Sequence, residues 1–201
     1  MIILIKWGVL LTRAQPFHNG HLETVKKILE ENDRALIVVG SSNKDHMVRN
    51  PFSIRMRVSI VQATLLEGLQ EDYSRCKIMT LADWSMESAT EYAEEWGKFF
   101  YYNVVNSICT KTFRLYYNDD ISIVKRWFNN ELASRVEIHQ LPRINDISST
   151  KIRDILKKYE ISGDDYYYLT QAFNGKILNI FYQELHRFMI SETLTVDTMM
   201  K

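Results

Sequence analysis

The sequence predicts an α/β protein with a doubly wound parallel sheet of about five strands, helices on both faces and a C-terminal helical segment. Two observations support this prediction. Short apolar runs recur along the chain without polar alternation, which is typical of strands that are covered on both faces. Each run is followed by a segment whose apolar residues fall at helical spacing, and this alternation of strand and helix favours parallel pairing.

The first strand and the first helix are predicted near the N-terminus. The apolar run Gly8–Leu11 predicts a buried strand. Helical spacing predicts that the following segment buries one face, formed by Leu22, Val25, Ile28 and Leu29. Oppositely charged residues four positions apart are expected to pair on its outer face, namely Glu23 with Lys27 and Lys26 with Glu30.

Four more strands are predicted farther along the chain, at 34–40, 77–81, 112–117 and 135–141. The last of them is less apolar and is expected at a sheet edge. A helix is expected to begin with Ser53 as its cap and to carry an inner face of Ile54, Val58, Val61 and Leu65.

Three further helices are predicted in the second half of the core. The first spans 87–105, with one face formed by Ala89, Ala93, Trp96, Phe99 and Phe100. The second follows the fourth strand and runs through Val124, Trp127 and Phe128. The third runs to about residue 158 and is expected to be capped by Ser149 and Thr150.

The C-terminal part of the chain predicts a helical extension. From Asp164 onward an apolar stripe follows helical spacing, formed by Leu169, Phe173, Ile177, Ile180, Phe181, Leu185 and Phe188. Asn174 and Gly175 are expected to break it in two. We therefore expect a core at 1–160 and an extension at 161–201 that packs on it.

Composition limits the class of protein. The chain has 201 residues, 46% of them apolar, which suits one compact core. Lysine plus arginine and aspartate plus glutamate number 25 each, so no net charge favours nucleic acid or a membrane as a partner. No stretch has the length of a membrane span or a signal peptide. Cys76 and Cys109 are expected to be free thiols in a reducing cytoplasm.

The segment 12–21 predicts an anion site between the first strand and the first helix. A helix N-terminus carries unpaired N–H groups and partial positive charge, so it binds phosphate. His18 and His21 add ring donors at that point, and Gly20 allows close backbone approach. The alternative for such a pair is a helix cap or a surface pair. The adjoining strand and helix favour a nucleotide-phosphate site.

These residues resemble the HxGH nucleotidyltransferase superfamily. A second motif of that superfamily, Ile-Ser-Ser-Thr-x-Ile-Arg, matches this chain at 147–153. The two motifs in this order imply a Rossmann-like fold. Within the superfamily the chain resembles the archaeal-type nicotinamide-mononucleotide adenylyltransferases. The matching sequence segments are 13–22, 40–42, 50–53 and 149–153.

The resemblance implies transfer of AMP from ATP to a pyridine mononucleotide, with release of pyrophosphate. The acceptor phosphate is already ionised, so catalysis consists of positioning and charge stabilisation. Mg²⁺ is expected to arrive with ATP, because the chain shows no dense carboxylate cluster for a metal of its own. ATP and a mononucleotide are the expected partners, and family members are often homo-oligomers.

The resemblance also implies roles for particular residues. The catalytic set is His18, His21, Arg13 and Arg153. The nucleotide-binding set is Gln15, Phe17, Gly20, Asn118, Asp119, Ser148, Ser149 and Thr150. The acceptor-binding set is Gly40, Ser41, Arg49, Asp83, Trp84 and Trp96. For Asn118 and Asp119 the alternative is a simple turn, for Arg49 a solvated cation, and for Trp96 core packing.

The chain departs from the family at several positions. Thr12 stands where the family has glycine, and Arg55–Arg57 replaces Gly-Glu-Arg. The segment 83–102 lacks the sequence pattern that the family shows at its pyridine pocket. The acceptor therefore stays open. Another phosphorylated acceptor, CTP in place of ATP, or a non-catalytic nucleotide-binding module are the alternatives. An aminoacyl-tRNA synthetase is excluded by the length and by the missing Lys-Met-Ser-Lys-Ser.

Overall fold

The computed structural model describes residues 5–44, 50–83, 93–117, 121–128, 130–142, 147–156, 158, 160–173, 175–179 and 181–182. Its centre is a sheet of five parallel strands, in the order β3-β2-β1-β4-β5. The strands are β1 (Trp7–Thr12), β2 (Arg34–Val39), β3 (Cys76–Thr80), β4 (Phe113–Tyr117) and β5 (Val136–Gln140). The five predicted strands are confirmed, and β5 lies at an edge as expected.

The strand order indicates the edge of the sheet at which a ligand is expected to bind. The chain runs from β1 to β2 and β3 on one side and returns to β4 and β5 on the other. The direction of winding therefore changes between β1 and β4. In open α/β sheets such a switch point opens a crevice at the carboxyl ends of the strands, where ligands bind. The motif at 12–21 lies at this end of β1.

Seven helices and one 3₁₀ turn are found in the described parts of the chain. The helices are α1 (Asn19–Glu31), α2 (Ile54–Leu69), α3 (Ala93–Ile108), α4 (Ile121–Lys125), α5 (Asn130–Ala133), α6 (Ser149–Leu156) and α7 (Gly163–Ala172). The 3₁₀ turn is Gln70–Arg75. Residues 175–179 and 181–182 are also helical. None of the helices described is long and apolar enough to cross a membrane.

Two apolar clusters cover the two faces of the sheet. Successive residues of β2 alternate between them, because side chains along a strand point to opposite faces. Leu36 and Val38 join α3 on one face, whereas Ile37 and Val39 join α1, α2, α6 and α7 on the other. All four are fully buried. Burial on both faces explains why the strands show no polar alternation.

The predicted face of α1 is confirmed, but its ion pairs differ from the prediction. Leu22, Val25, Ile28 and Leu29 are all buried. The pairs form three residues apart, at 2.8 Å between Lys26 and Glu23 and 3.1 Å between Lys27 and Glu30. The predicted partners were one position off, because i,i+3 and i,i+4 neighbours share the same helix surface. These exposed pairs contribute little stability.

The cap of α2 is confirmed, and its buried face is rotated from the prediction. Ser53 accepts a hydrogen bond from the Met56 N–H at 3.2 Å. Val61 and Leu65 are buried, but Ile54 and Val58 are only half-buried. The buried face instead includes polar residues, its members being Met56, Arg57, Ile60, Val61, Thr64 and Leu65. An apolar stripe alone could not show a buried arginine.

Three helix boundaries also differ from the prediction. Ser148 rather than Ser149 or Thr150 caps α6, because its Oγ accepts from the Lys151 N–H at 3.0 Å. The helix predicted through Phe128 ends as α4 at Lys125, and buried Trp127 and Phe128 follow it. The helix predicted at 87–105 is described from Ala93 and continues to Ile108.

The described part of the C-terminal stripe packs against the core. Leu169, Phe173, Ile177 and Phe181 are fully buried. Helix α7 ends at Ala172, where the predicted break begins. Ile180, Leu185, Phe188 and the earlier Ala89 lie outside the described residues. The extension and α1 share one apolar cluster.

Both cysteines are free thiols. Cys76 is half-buried at the start of β3, and burial raises the pKa of its thiol to about 11. Cys109 is exposed after α3. A thiol with a raised pKa is a poor nucleophile and a poor metal ligand at neutral pH, so Cys76 is not a candidate for either role.

Candidate active site

Two imidazoles cap the N-terminus of α1. His18 is the cap residue, and its Nδ1 accepts a hydrogen bond from the Gly20 N–H at 3.1 Å. The His18 N–H in turn donates to Nδ1 of His21 at 3.3 Å. The two ring centroids lie 4.0 Å apart. The motif thus folds into a reciprocal cap that holds both rings at the positive end of the helix.

This cap determines where the ring protons lie. An Nδ1 that accepts an N–H bond carries no proton, so each neutral ring holds its proton on Nε2. Burial, and to a smaller extent the charge of His21, holds the pKa of His18 well below 6.5. His18 is therefore a neutral Nε2–H donor at physiological pH. Fixed neutral donors of this kind suit a phosphate oxygen.

Phe17 and Gln15 hold the turn that carries the histidines through contacts with the protein. Phe17 is fully buried and stacks on His21, with ring centroids 4.8 Å apart. The Gln15 amide donates to the Phe52 carbonyl and accepts from the Phe52 N–H, each at 3.1 Å. Both were expected to contact the nucleotide. In the structure their side chains are buried against protein, and they brace the turn between β1 and α1.

The second motif docks on the first. Ser149 donates from its hydroxyl to the Pro16 carbonyl at 3.0 Å. Arg153 donates to the Gln15 carbonyl at 2.7 Å and to Thr150 Oγ1 at 3.1 Å. These bonds use two of the five N–H donors of the guanidinium. The N-terminus of α6 and the N-terminus of α1 therefore meet at one place.

The charges at this place suit an anion. Burial, and to a smaller extent nearby Arg13, lowers the pKa of Arg153, against an opposing effect of Asp154. Arg13 is exposed directly after β1. Two guanidinium groups close enough to repel one another are relieved by an anion between them. Among the described residues no group of His, Cys, Asp and Glu could hold a metal ion.

Arg57 is a residue that the sequence interpretation missed. It is fully buried in α2 and donates to three backbone carbonyls: Arg13 at 3.1 Å, Gly40 at 2.8 Å and Ser41 at 3.0 Å. A buried charge is tolerated only when it is hydrogen-bonded. Arg57 thus links the segments that follow β1 and β2 and fixes their relative position at the site. Its one sequence signal was a basic residue within an apolar helical segment.

The predicted acceptor residues of the second loop lie at the same sheet edge. The Gly40 N–H donates to the Thr12 carbonyl at 2.9 Å, which joins the two loops. Asp83 exchanges two hydrogen bonds with Asn43, and its carboxylate pairs with Lys44 at 2.9 Å. Gly40 and Ser41 are therefore close to the end of β1. Asp83 follows β3, and its carboxylate already has a cationic partner.

Trp96 is partly buried and packs against the core, which agrees with the alternative that its apolar helix face favoured. Its ring lies 5.3 Å from Phe100 and 4.6 Å from Trp127. The neighbouring Gly97 touches the Trp127 backbone so closely that a Cβ would overlap it. The structure thus does not bring Trp96 to the paired histidines. Four other predicted site residues lie outside the described parts of the chain, namely Arg49, Trp84, Asn118 and Asp119.

Curated relatives match this chain over about three quarters or more of their own length. Nicotinamide-nucleotide adenylyltransferase from Thermoplasma acidophilum is 31% identical over 151 residues, which are 74% of this chain and 74% of that protein. The protein of the same name from Saccharolobus solfataricus is 33% identical over 162 residues, 78% of this chain and 92% of that protein.

Solved structures share the fold. A bifunctional NMN adenylyltransferase/ADP ribose pyrophosphatase from Francisella tularensis has a TM-score of 0.69 at 18% identity, covering 90% of this chain and 49% of its own. This chain thus spans about half of that protein. Its complex with AMP and a manganese ion has a TM-score of 0.63 at 16% identity, with 96% and 56% covered. The cytidylyltransferase-like family model matches residues 9–155, so this chain belongs to the cytidylyltransferase-like family.

Proposed function

We propose that this protein transfers AMP from ATP to nicotinamide or nicotinate mononucleotide, releasing pyrophosphate and forming the dinucleotide of the NAD type. One observation carries the proposal. Arg153 and Ser149 bond the carbonyls of Gln15 and Pro16, so two distant motifs form one site with donors from both. The names of the relatives in Thermoplasma and Saccharolobus support the pyridine mononucleotide as acceptor.

The donors divide along the triphosphate. His18 and His21 lie at the α1 N-terminus, where they would bind the α-phosphate and stabilise the charge that develops during transfer. Arg153, with the backbone of Ser149 and Thr150, would hold the β- and γ-phosphates at the α6 N-terminus. Arg13 would bridge the two groups. Because His18 is neutral, the guanidinium groups would supply the positive charge.

The chemistry requires no general base. The attacking oxygen belongs to the acceptor's phosphate, which is ionised at neutral pH. It displaces pyrophosphate from the α-phosphorus of ATP, and the pyrophosphate leaves with the bond electrons. The protein has to align these groups and balance their charge. Mg²⁺ would enter with ATP, bound by the substrate phosphates.

A second candidate reaction uses another phosphorylated acceptor. The observation that favours it is the packing of Trp96, whose partly buried ring lies against Phe100 and Trp127. The phosphate donors would be unchanged in this reaction. Only the group that carries the attacking phosphate would differ.

The cellular setting is also part of the proposal. We place the protein in the cytoplasm, as a homo-oligomer. Tyr102, Tyr166 and Tyr167 are more than half exposed and could contribute to contacts between copies. The mass of the protein in solution, measured by light scattering after size-exclusion chromatography, tests the oligomer. A mass of one chain would contradict it.

The reaction is tested by product analysis. Purified protein is incubated with Mg²⁺, ATP and either nicotinamide or nicotinate mononucleotide, and dinucleotide and pyrophosphate are measured by mass spectrometry and a coupled assay. Parallel reactions contain CTP, phosphopantetheine or a phosphorylated alcohol. Dinucleotide formation that depends on the mononucleotide supports the proposal. Pyrophosphate release with another acceptor only would favour the second candidate, and ATP binding without turnover would favour a non-catalytic module.

A further inference from the structure

Thr12 occupies the end of β1, where the resembling family has glycine. The side chain is half-buried. Its Oγ1 accepts a hydrogen bond from the Ala14 N–H at 3.1 Å. The same oxygen lies 3.1 Å from Nε2 of His21. This residue therefore contacts the ring atom that the proposed function assigns to the α-phosphate.

The proton between Thr12 and His21 belongs to the ring. Nδ1 of His21 accepts the His18 N–H, so the ring proton is on Nε2, and Nε2–H donates to Thr12 Oγ1. A hydroxyl oxygen has two lone pairs and one proton. The Ala14 N–H and the His21 Nε2–H occupy both lone pairs. The hydroxyl proton of Thr12 has no acceptor among the described residues.

We infer that Thr12 is a phosphate-binding residue, whose hydroxyl donates to an oxygen of the nucleotide phosphate. His21 polarises that hydroxyl through its Nε2–H, which is its only N–H, so the α-phosphate role that the proposed function gives to His21 is exerted through Thr12 and not by a direct bond. Linked donors strengthen one another, so the two side chains act as one unit. A glycine at this position would leave the imidazole to meet the phosphate alone. The inference rests on the proposed function, because it assumes a nucleotide phosphate at this turn.

A double-mutant cycle tests the linkage. The enzyme is measured as wild type, Thr12→Val, His21→Ala and the double variant, with kcat/KM for ATP and the Kd of an ATP analogue as readouts. Valine keeps the shape of threonine and removes the hydroxyl. Loss of a hydrogen bond to an ionised group predicts a decrease in kcat/KM of about 10- to 100-fold for Thr12→Val. Thr12→Ser keeps the hydroxyl and is expected to stay within about threefold of wild type.

The double variant separates the inference from a structural role. If the two side chains form one donor unit, the kcat/KM of the double variant is no lower than that of the more impaired single variant. If each contacts the phosphate independently, the losses in kcat/KM multiply, and the inference is overturned. A Thr12→Val variant with wild-type or raised activity would also overturn it. Such a result would mean that the His21 Nε2–H serves the phosphate without the Thr12 hydroxyl. Urea unfolding of each variant identifies losses that come from the Ala14 bond.

The proposed function is tested separately by the same samples. If wild type binds the ATP analogue but forms no dinucleotide with either mononucleotide, the acceptor reaction is rejected. The cycle in Kd still decides on Thr12: equal weakening in the Thr12→Val and double variants supports the phosphate contact, and an unchanged Kd in Thr12→Val rejects it. If wild type does not bind the analogue at all, both the proposed function and the contact are rejected.

Discussion

His18 and His21 are held by the backbone of the helix that they cap. Each Nδ1 accepts an N–H bond, and this arrangement leaves each proton on the Nε2 side. A protonated ring would place an N–H against an N–H and lose its cap bond. In the proposed reaction the rings would therefore act without charge, and Arg13 and Arg153 would supply the positive charge. At the scale of the residue, the histidines would thus donate protons in hydrogen bonds, and the arginines would neutralise the charge of the phosphates.

The buried state of His18 predicts a pH-dependent stability. Its pKa lies well below 6.5 in the folded protein, and the unfolded chain titrates near 6.5. As pH falls below 6.5, the unfolded chain binds a proton that the folded protein does not, so the free energy of unfolding decreases. Above 6.5 both states are neutral at this residue, and its contribution is constant. The decrease can reach about 1.4 kcal/mol for each pH unit.

The matched variant is His18→Asn, because asparagine retains a cap acceptor and does not titrate. Urea unfolding at pH 7.5, 6.5 and 5.5 measures both proteins. We expect the difference between variant and wild type to shift in favour of the variant as the pH is lowered. Parallel curves for the two proteins would show that His18 does not titrate on unfolding.

At the scale of the element, the docking of α6 on the turn before α1 brings Arg153 to the site. Arg153→Ala should weaken the binding of ATP more than that of the acceptor, because the proposed function assigns the guanidinium to the β- and γ-phosphates. Loss of a charged hydrogen bond predicts an increase in KM for ATP of roughly 10- to 100-fold. Arg34→Ala, at the opposite end of the sheet, removes the same charge as a control. Equal increases in KM for ATP and for the acceptor would contradict this placement.

The packing of α3 against the segment after α4 depends on Gly97. A Cβ there would overlap the backbone of Trp127, so the two segments would have to separate. Gly97→Ala is expected to lower the free energy of unfolding by about 1–3 kcal/mol, as overpacking does. Gly163→Ala is the matched control, since a Cβ there meets nothing within 4 Å. Equal stability of both variants in urea unfolding would mean that the close contact does not exist.

Elements with a strong apolar signal could be predicted from the sequence. The strands and α1 were found because burial on both faces and 3.6-residue spacing leave clear patterns. The buried face of α2 was not, because Arg57 is kept inside by carbonyls from two other elements. The cap of α6 was assigned one residue late, since three adjacent hydroxyl residues, at 148–150, can all cap.

The sequence predicted that the motifs at 12–21 and 147–153 lie together, and the structure brings them into contact. That they bind phosphate stays a prediction, which rests on the relation of helix starts and cationic side chains to anions. The supporting roles of Gln15 and Phe17 depend on Phe52 and on stacking with His21, contacts that no local pattern contains. The position of Trp96 in the core likewise depends on Trp127, which is distant in sequence.

At the scale of the whole molecule, the C-terminal segment is bound to the site. The Tyr168 hydroxyl accepts the Ser148 N–H at 2.8 Å, and the Asn19 amide donates to the Gln171 carbonyl at 2.9 Å. The segment 161–182 therefore contacts both motifs. Its buried side chains belong to the cluster that covers one face of the sheet, namely Leu169, Ala172, Phe173, Ile177, Leu178 and Phe181.

Removal of this segment is expected to unfold the protein. A chain of residues 1–160 loses six buried apolar side chains from the cluster around α1 and α2. At about 1.5–3 kcal/mol for each of the five large side chains, this loss is comparable to the whole stability of a typical domain. Circular dichroism and thermal unfolding of the truncated chain are the measurements. A cooperative transition at the wild-type temperature would mean that 1–160 folds on its own.

The central claim is that both motifs hold one triphosphate. A crystal structure with a non-hydrolysable ATP analogue and Mg²⁺ tests it most directly. We expect the α-phosphate within hydrogen-bond distance of His18 and of the Thr12–His21 pair, and the β- and γ-phosphates on Arg153 and the start of α6. A triphosphate bound elsewhere, or one that reaches the histidines while Arg153 remains more than 6 Å from every phosphate oxygen, a distance beyond direct contact, would contradict the account.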